Sequence, residues 1–412
     1  MSAGGSGGAG LMYDQATIGA RLRMLRKWRK LSLVELADLA GMSKSYLSMA
    51  ERGERALDRR SYIAALADAL QVSETELVGG PHLTKDPAQS APHAMIPQLR
   101  AALIANTLTA PLADRARPLP ELLAEMDRLD HSKYKFREVG RPLPAIIDEL
   151  HVHAAAPAGE AEHRLALEGL IEAFQMATFT TKDLGYGDLS HIAAMRAGEV
   201  AAILGDPVNR GKADSLRIHT MPATTWRVRL TAAEQAVDRL QPHVRDDTGV
   251  HVLGMLTLAA SMAATVAADA SRARHWLDHA AELAGRTADA PGANWGAFST
   301  TNVNVWRISL AVEQGESGGV LELARRVEEH RLAERSGRHT AFLTDVGRGL
   351  ARDPRARERA VEWLHRAENV APHKFRNDAK ARETVGVLLQ QVRSTAAGRV
   401  LRGMAARMGL PH

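Results

Sequence analysis

Two helices can cross a tight turn only if three conditions are met. The first must offer a small side chain at the contact, the turn must tolerate left-handed backbone, and the second must return an aliphatic residue. Ala37, Gly41 and Leu47 stand at the required separations of four and six residues, with Leu36 and Ala50 completing an apolar inner face. This is the sharpest constraint in the chain, and its surroundings agree with it. Ile18, Leu22 and Leu25 recur at helical spacing ahead of it. Ser32 is predicted to cap a helix over 33–40 by accepting free backbone N–H groups, and Gly41 to end it. Ser43 caps the next helix, 44–52, which stops at Gly53. Ile63, Leu66, Ala67 and Leu70 mark a fourth helix, and Ser73 caps a short fifth.

The rest of the chain must be organised differently, because 412 residues exceed one compact core. Aromatic residues make up only 4% and alanine is abundant, which favours close-packed helices over strands. No stretch alternates as a strand would. Gly79, Gly80 and Pro81 break the first pattern, and residues 81–97, with four prolines, read as a linker. Residues 98–412 read as helix after helix, in seven or more right-handed hairpins. The breaks fall at 118–120, 141–144, 157–159, 205–207, 242, 291–292, 315–319 and 353–354.

Charge is unevenly placed. Residues 21–60 hold eleven Lys/Arg against five Asp/Glu, a balance of +6, so the remainder of this +5 chain sums to −1. The excess points to a polyanion contact within one forty-residue stretch. The absence of cysteine excludes disulfides, zinc fingers and thiol catalysis, and suits a reducing, cytoplasmic setting. The glycine-rich start, residues 1–16, lacks a charged or apolar signal region and reads as a disordered leader. Residues 250–268 are long enough to span a membrane. They are built from alanine, serine, threonine and glycine without a basic flank, so a packed helix and no membrane partner are expected.

LSLVELADLAGMSKSYLSMAERGER, with the downstream ALADALQVSETEL, closely resembles the Cro/C1-type (XRE) family of helix-turn-helix regulators over residues 17–78. The resemblance implies a five-helix, lambda-repressor-like domain that lays its third helix in the major groove of double-stranded DNA. Carried onto this sequence, Lys44, Ser45, Tyr46 and Met49 face the bases, and Ser48 lies nearer the backbone. Met49 and Leu33 stand where many relatives place polar contact residues, which removes two of the family's usual contacts. Phosphate binding is expected from Arg26, Lys27, Arg29, Lys30, Arg52 and Arg55, with Arg59 and Arg60 before the fourth helix.

In the second region Ala360, Leu364, Ala367 and Pro372 resemble the second half of a tetratricopeptide repeat. Ala273, Leu277 and Ala280 echo it, and Val320, Ala324 and Val327 do so more weakly. Within 295–310, Asn302, Asn304 and Arg307 could hold a peptide backbone in the groove of such an array. They could equally cap helices or tie neighbouring repeats together. A helix-turn-helix followed by such repeats is similar to the peptide-sensing regulators of Gram-positive bacteria. GYGDLS at 185–190 lacks a dinucleotide loop's third glycine, and His151 and His153 read as surface or cap residues. The expectation is an all-α, non-enzymatic, homodimeric DNA-binding regulator without a cofactor, whose array senses a peptide or small molecule. The alternative is a constitutive DNA-binding module whose array only docks a protein partner.

Overall fold

The computed structural model describes residues 17–80, 91–130, 142–391 and 396–410. The expected leader, 1–16, and most of the expected linker, 81–90, lie outside these residues. Among them the fold is all-α, without strands.

Five short helices form the N-terminal domain: α1 (Ile18–Trp28), α2 (Leu33–Leu39), α3 (Lys44–Glu51), α4 (Arg60–Leu70) and α5 (Glu74–Val78). The serine caps act as read from the sequence. Ser32 and Ser73 each complete a reciprocal capping box, with Glu35 and Glu76, and Ser43 accepts from the Tyr46 amide. Gly41 adopts φ +62° at the turn between α2 and α3. Ala37, Leu47 and Ala50 are buried with Ile18, Leu22, Leu36, Ile63, Leu66 and Leu70. A second close approach was not read from the sequence. A Cβ on Gly19 would lie 2.1 Å from the Ala50 carbonyl oxygen, so α1 can rest on α3 only through a glycine.

The array begins earlier than expected. A 3-10 turn, Ala91–Met95, leads into α6 (Ile96–Ala105), and Met95 and Ile96 are core residues. The linker therefore does not reach residue 97. Pro97 opens this helix rather than preventing it, since a first-turn proline gives up no intrahelical hydrogen bond. The same reason places α7 (Leu119–Asp130), α8 (Pro142–Ala155) and α11 (Pro207–Thr220) directly at proline-marked breaks.

The remaining helices form successive hairpins: α9 (Glu160–Asp183) with α10 (Gly187–Leu204), α11 with α12 (Trp226–Leu240), and α13 (Asp247–Val266) with α14 (Ala270–Ala284). They continue with α15 (Thr300–Gln314) and α16 (Val320–Ala324), then α17 (Ser336–Ala351) and α18 (Arg357–Val370). After the short α19 (Pro372–Asn377) come α20 (Ala379–Gln391) and α21 (Ala396–Met408). The odd-numbered members α9 to α17, followed by α20, touch one another in series and form an inner layer. The ends of this layer meet. Lys374 on α19 pairs with Asp183 of α9 at 2.6 Å, and Arg335 with Asp130 of α7 at 2.6 Å.

α13 is the only described helix long and apolar enough to cross a membrane, and it is mostly buried inside the array. Gly254 explains its small residues: a Cβ there would lie within 2.1 Å of the Phe298 ring. His151, read as a surface or cap residue, is instead fully buried, bonded through Nδ1 to the Ile147 carbonyl at 2.7 Å.

Candidate nucleic-acid interface

The first turn of α3 presents Lys44 and Ser45 to solvent, with Ser48 and Met49 half-exposed one turn later. Leu47 and Ala50, on the opposite side, anchor the helix to the domain core. Tyr46 departs from expectation. Its hydroxyl donates to the Ala56 carbonyl at 2.9 Å, and its ring meets Tyr62 edge-on. Burial pushes the phenol up, and the side chain points back into the fold rather than toward a base.

The predicted phosphate contacts divide in two. Lys27 and Lys30 are exposed, as is Arg23. Arg26 is not available: its guanidinium forks onto Glu51 at 2.6 and 2.8 Å and also donates to the Leu31 carbonyl. Arg29 donates to the Leu70 and Gln71 carbonyls, closing α1 onto the end of α4. Arg52 is exposed but turned onto Glu54 and Ser48. Substituting Arg26 by alanine would leave the buried Glu51 carboxylate without its fork. We expect a stability loss of about 2 kcal/mol, read by urea unfolding.

Arg55, Arg59 and Arg60 are drawn to the array. Arg59 donates to the Glu313 carbonyl at 2.6 Å, and Arg60 pairs with the Glu313 carboxylate at 2.5 Å while its own amide donates to the same group. Arg55 reaches the Arg352 carbonyl at 3.4 Å. Asp58 is the centre of this junction. Arg348, itself 1% exposed, donates to the Asp58 carboxylate and carbonyl and to Asp345, and Arg352 adds two contacts at 3.2 and 3.3 Å. Burial alone would raise the Asp58 carboxyl, but the two arginines overcome it and hold the group below its usual range. On α20, Glu383 accepts the amides of Ile18 and Leu57. Beside Tyr46 and Asp58 the junction leaves a cavity of about 160 Å³.

Sequence reading missed this junction because its partners lie 253 to 365 residues apart along the chain. The one local hint was Asp58, an acid among the arginines of RALDRR. The residues read as a peptide site are not brought together. Asn302 is fully buried, and Asn304, two positions on and therefore on another side of α15, donates to the Arg326 carbonyl at 3.0 Å. Arg307 is half-buried, and its Nε has no partner among the described residues. Asn304 thus ties neighbouring segments together, the other role its position allowed.

Residues 17–78 match the family described as "Helix-turn-helix domain". The N-terminal part is also similar to a protein named "Immunity repressor protein" from Bacillus phage phi105, with 40% identity over 70 residues. That match covers 17% of this chain and 48% of the phage protein, so the chain spans about half the length of the curated relative it matches. No solved structure matches the chain.

Proposed function

We propose that this chain is a sequence-specific, DNA-binding transcription regulator whose reading head is held by its own helical array. The observation that carries the reading is the exposed first turn of α3, with Lys44 and Ser45, on a matched helix-turn-helix scaffold. Lys44 is suited to guanine O6 and N7, and Ser45 and Met49 extend the edge that a major groove would meet. Lys27 and Lys30 supply phosphate contacts. Two copies reading half-sites about 34 Å apart would account for a homodimer.

The array does more than carry the head. It packs against the segment 53–60 that follows α3, burying Gly53, Leu57 and Asp58 and holding Arg59 and Arg60 on Glu313, while Glu54 and Arg55 stay exposed. The docked head leaves α3's exposed edge and Lys27 and Lys30 open but ties Arg59 and Arg60 to the array, so docking and full engagement of a duplex compete. An effector that favours the undocked arrangement would then raise DNA affinity, by no more than its preference for that state. The tetratricopeptide-like reading of the hairpins fits an inner surface adapted to such a ligand.

Fluorescence anisotropy of the full chain on its own upstream DNA, over a salt series, tests the first part. Lys44→Ala should lose about 1–2 kcal/mol of discrimination against substituted operators while leaving binding to random DNA nearly unchanged. Equal affinity of the unsubstituted protein for upstream and random DNA would sink the sequence-specific reading.

A further inference from the structure

Four basic side chains stand together where α9, α11, α12 and α17 approach one another. Lys182 on α9 and His219 on α11 stand with Nζ and Nε2 2.5 Å apart, although both are bases. Arg229 opens α12 beside them, donating to the His219 carbonyl at 3.2 Å, and Arg338 lies at the start of α17. Among the described residues none of these four forms an ion pair within 4 Å. Lys374 and Arg60, also nearby, are already matched by Asp183 and Glu313.

Three further features mark this cluster as a built site and not a solvated face. Lys182 keeps accessible surface, and His219, Arg229 and Arg338 keep some, yet burial lowers all four. Desolvation therefore disfavours a charge at each of these positions, and among the described residues no carboxylate pairs with any of them directly. Next, aromatic faces hold two of the cations in place: Arg229 lies 4.3 Å from the Trp226 ring centre and Arg338 5.3 Å from that of Trp306. Last, both indoles are more than nine-tenths buried, and neither Trp226 Nε1 nor Trp306 Nε1 has an acceptor, nor does Arg229 Nε. Buried donors are ordinarily satisfied, so unmatched donors beside unmatched cations describe the complement of an anion.

We propose that the basic cluster between α9, α11, α12 and α17 binds a small multivalent oxyanion, held by Lys182, His219, Arg229 and Arg338. The ligand class is a phosphorylated or polycarboxylated small molecule. Two arginines supply planar forks for its oxygens, and Lys182 a point charge. This deepens the sensor reading above, on which its regulatory meaning rests. Arg60 of the reading head contributes to the same field, since its charge is felt at both Lys182 and Arg229. A bound anion would therefore compete with Glu313 for Arg60 and loosen the docked head.

The Lys182–His219 contact also gives binding a proton. The two bases lie in the field of Lys374, Arg229, Arg338 and Arg60, with Asp183 beside Lys182, Asp345 felt at Arg338 and Glu74 at Arg229. An anion reverses the sign of that field and favours the imidazolium. Affinity therefore rises as pH falls from 8 toward 6, with net proton uptake that His219→Gln reduces.

The test is isothermal titration calorimetry of the full-length protein without DNA. Pyrophosphate and citrate are titrated separately, with chloride adjusted to constant ionic strength. Saturable binding of at least one anion, at one site per chain, is the expected result. Preference for pyrophosphate would identify a phosphate-bearing ligand, and preference for citrate a polycarboxylate. Lys182→Met and Arg338→Met should each weaken binding at least tenfold, while Arg286→Met, exposed in the turn after α14, should not. In ligand-free protein Lys182→Met should raise the melting temperature, because it removes a desolvated cation from His219; a structural lysine would do the opposite. Absence of saturable binding by both anions would overturn the proposal, as would binding indifferent to both substitutions in folded protein. Failure to bind any DNA would instead count against the regulator reading and leave the calorimetric result standing.

Discussion

Replacing Arg348 by methionine should free the reading head and raise DNA affinity tenfold or more. Among the described residues Arg348 is the only group that touches Asp58, Asp345 and the Asp58 carbonyl at once, and it does so with 1% of its surface exposed. Without it Asp58, Asp345 and Glu313 lose a shared cation inside the junction, and Asp58 keeps only Arg352 while Glu313 keeps Arg60. Breaking a buried pair in this way costs about 3–5 kcal/mol, because a desolvated charge is left behind. The protein can escape most of that cost by undocking the head, which returns Asp58 to water. If DNA binds only the undocked state, apparent affinity follows the undocked fraction, and each 1.4 kcal/mol of lost docking is worth about tenfold until the head is fully free.

Hydrogen exchange gives an independent readout. The amides of Ile18 and Leu57 are protected by Glu383 in the docked state and should exchange faster in the variant. Asp58→Asn combined with Arg348→Met removes both charges and should recover much of the stability lost in the single variant. That recovery separates undocking from misfolding. A constitutive reader whose array only docks a partner predicts faster exchange with unchanged DNA affinity. Unchanged exchange together with unchanged affinity would refute the junction's role altogether.

The reading head was legible because its determinants are local. Serine caps, a turn glycine and i, i+4 packing act within about ten residues, and each has a single structural meaning. Hence the predicted boundaries of α2 and α3 fall within one residue of those observed. What misled was the excess of arginines. Composition reports net charge but not pairing, so Arg26, Arg29, Arg55, Arg59 and Arg60 all read as phosphate contacts. Each is instead held by a carboxylate or carbonyl of the protein itself. Tyr46 misled similarly, because its place at the recognition turn gives no hint that Ala56 lies within reach of its hydroxyl.

In the array, helix starts were legible from proline and glycine, and the partners of inner side chains were not. Asn302 and Asn304 looked like a pair in the sequence, but a helical step of two separates them, and only the neighbouring Arg326 shows what Asn304 is for. The Lys182–His219 contact joins residues 37 apart on different helices, and nothing local marks it.

Docking should also weaken as pH rises, and Glu383 should be the reason. Burial pushes its carboxyl up to about 7, while the two amides it accepts and the nearby Arg21 pull the other way and limit the rise. Asp58 adds to the upward push. In the undocked state the group is solvated and returns toward 4.5. The docked state therefore binds more protons than the undocked one throughout the interval between these values. Docking is strongest below 4.5, is lost progressively up to about 7, and levels off above that. The full span corresponds to about 3 kcal/mol, of which the part between pH 6 and 8 is worth roughly tenfold in the undocked fraction. Glu383→Gln keeps one acceptor for the two amides and so weakens docking by about 1 kcal/mol at low pH, where the parent carboxyl is protonated, and this deficit shrinks and reverses as the parent ionises. Its diagnostic effect is on slope: exchange of the Leu57 amide should vary with pH in the parent, after correction for intrinsic rates, and stay flat in the variant. A parent slope that survives the substitution would assign the titration to another group, and a slope of opposite sign would mean that Glu383 docks as a carboxylate.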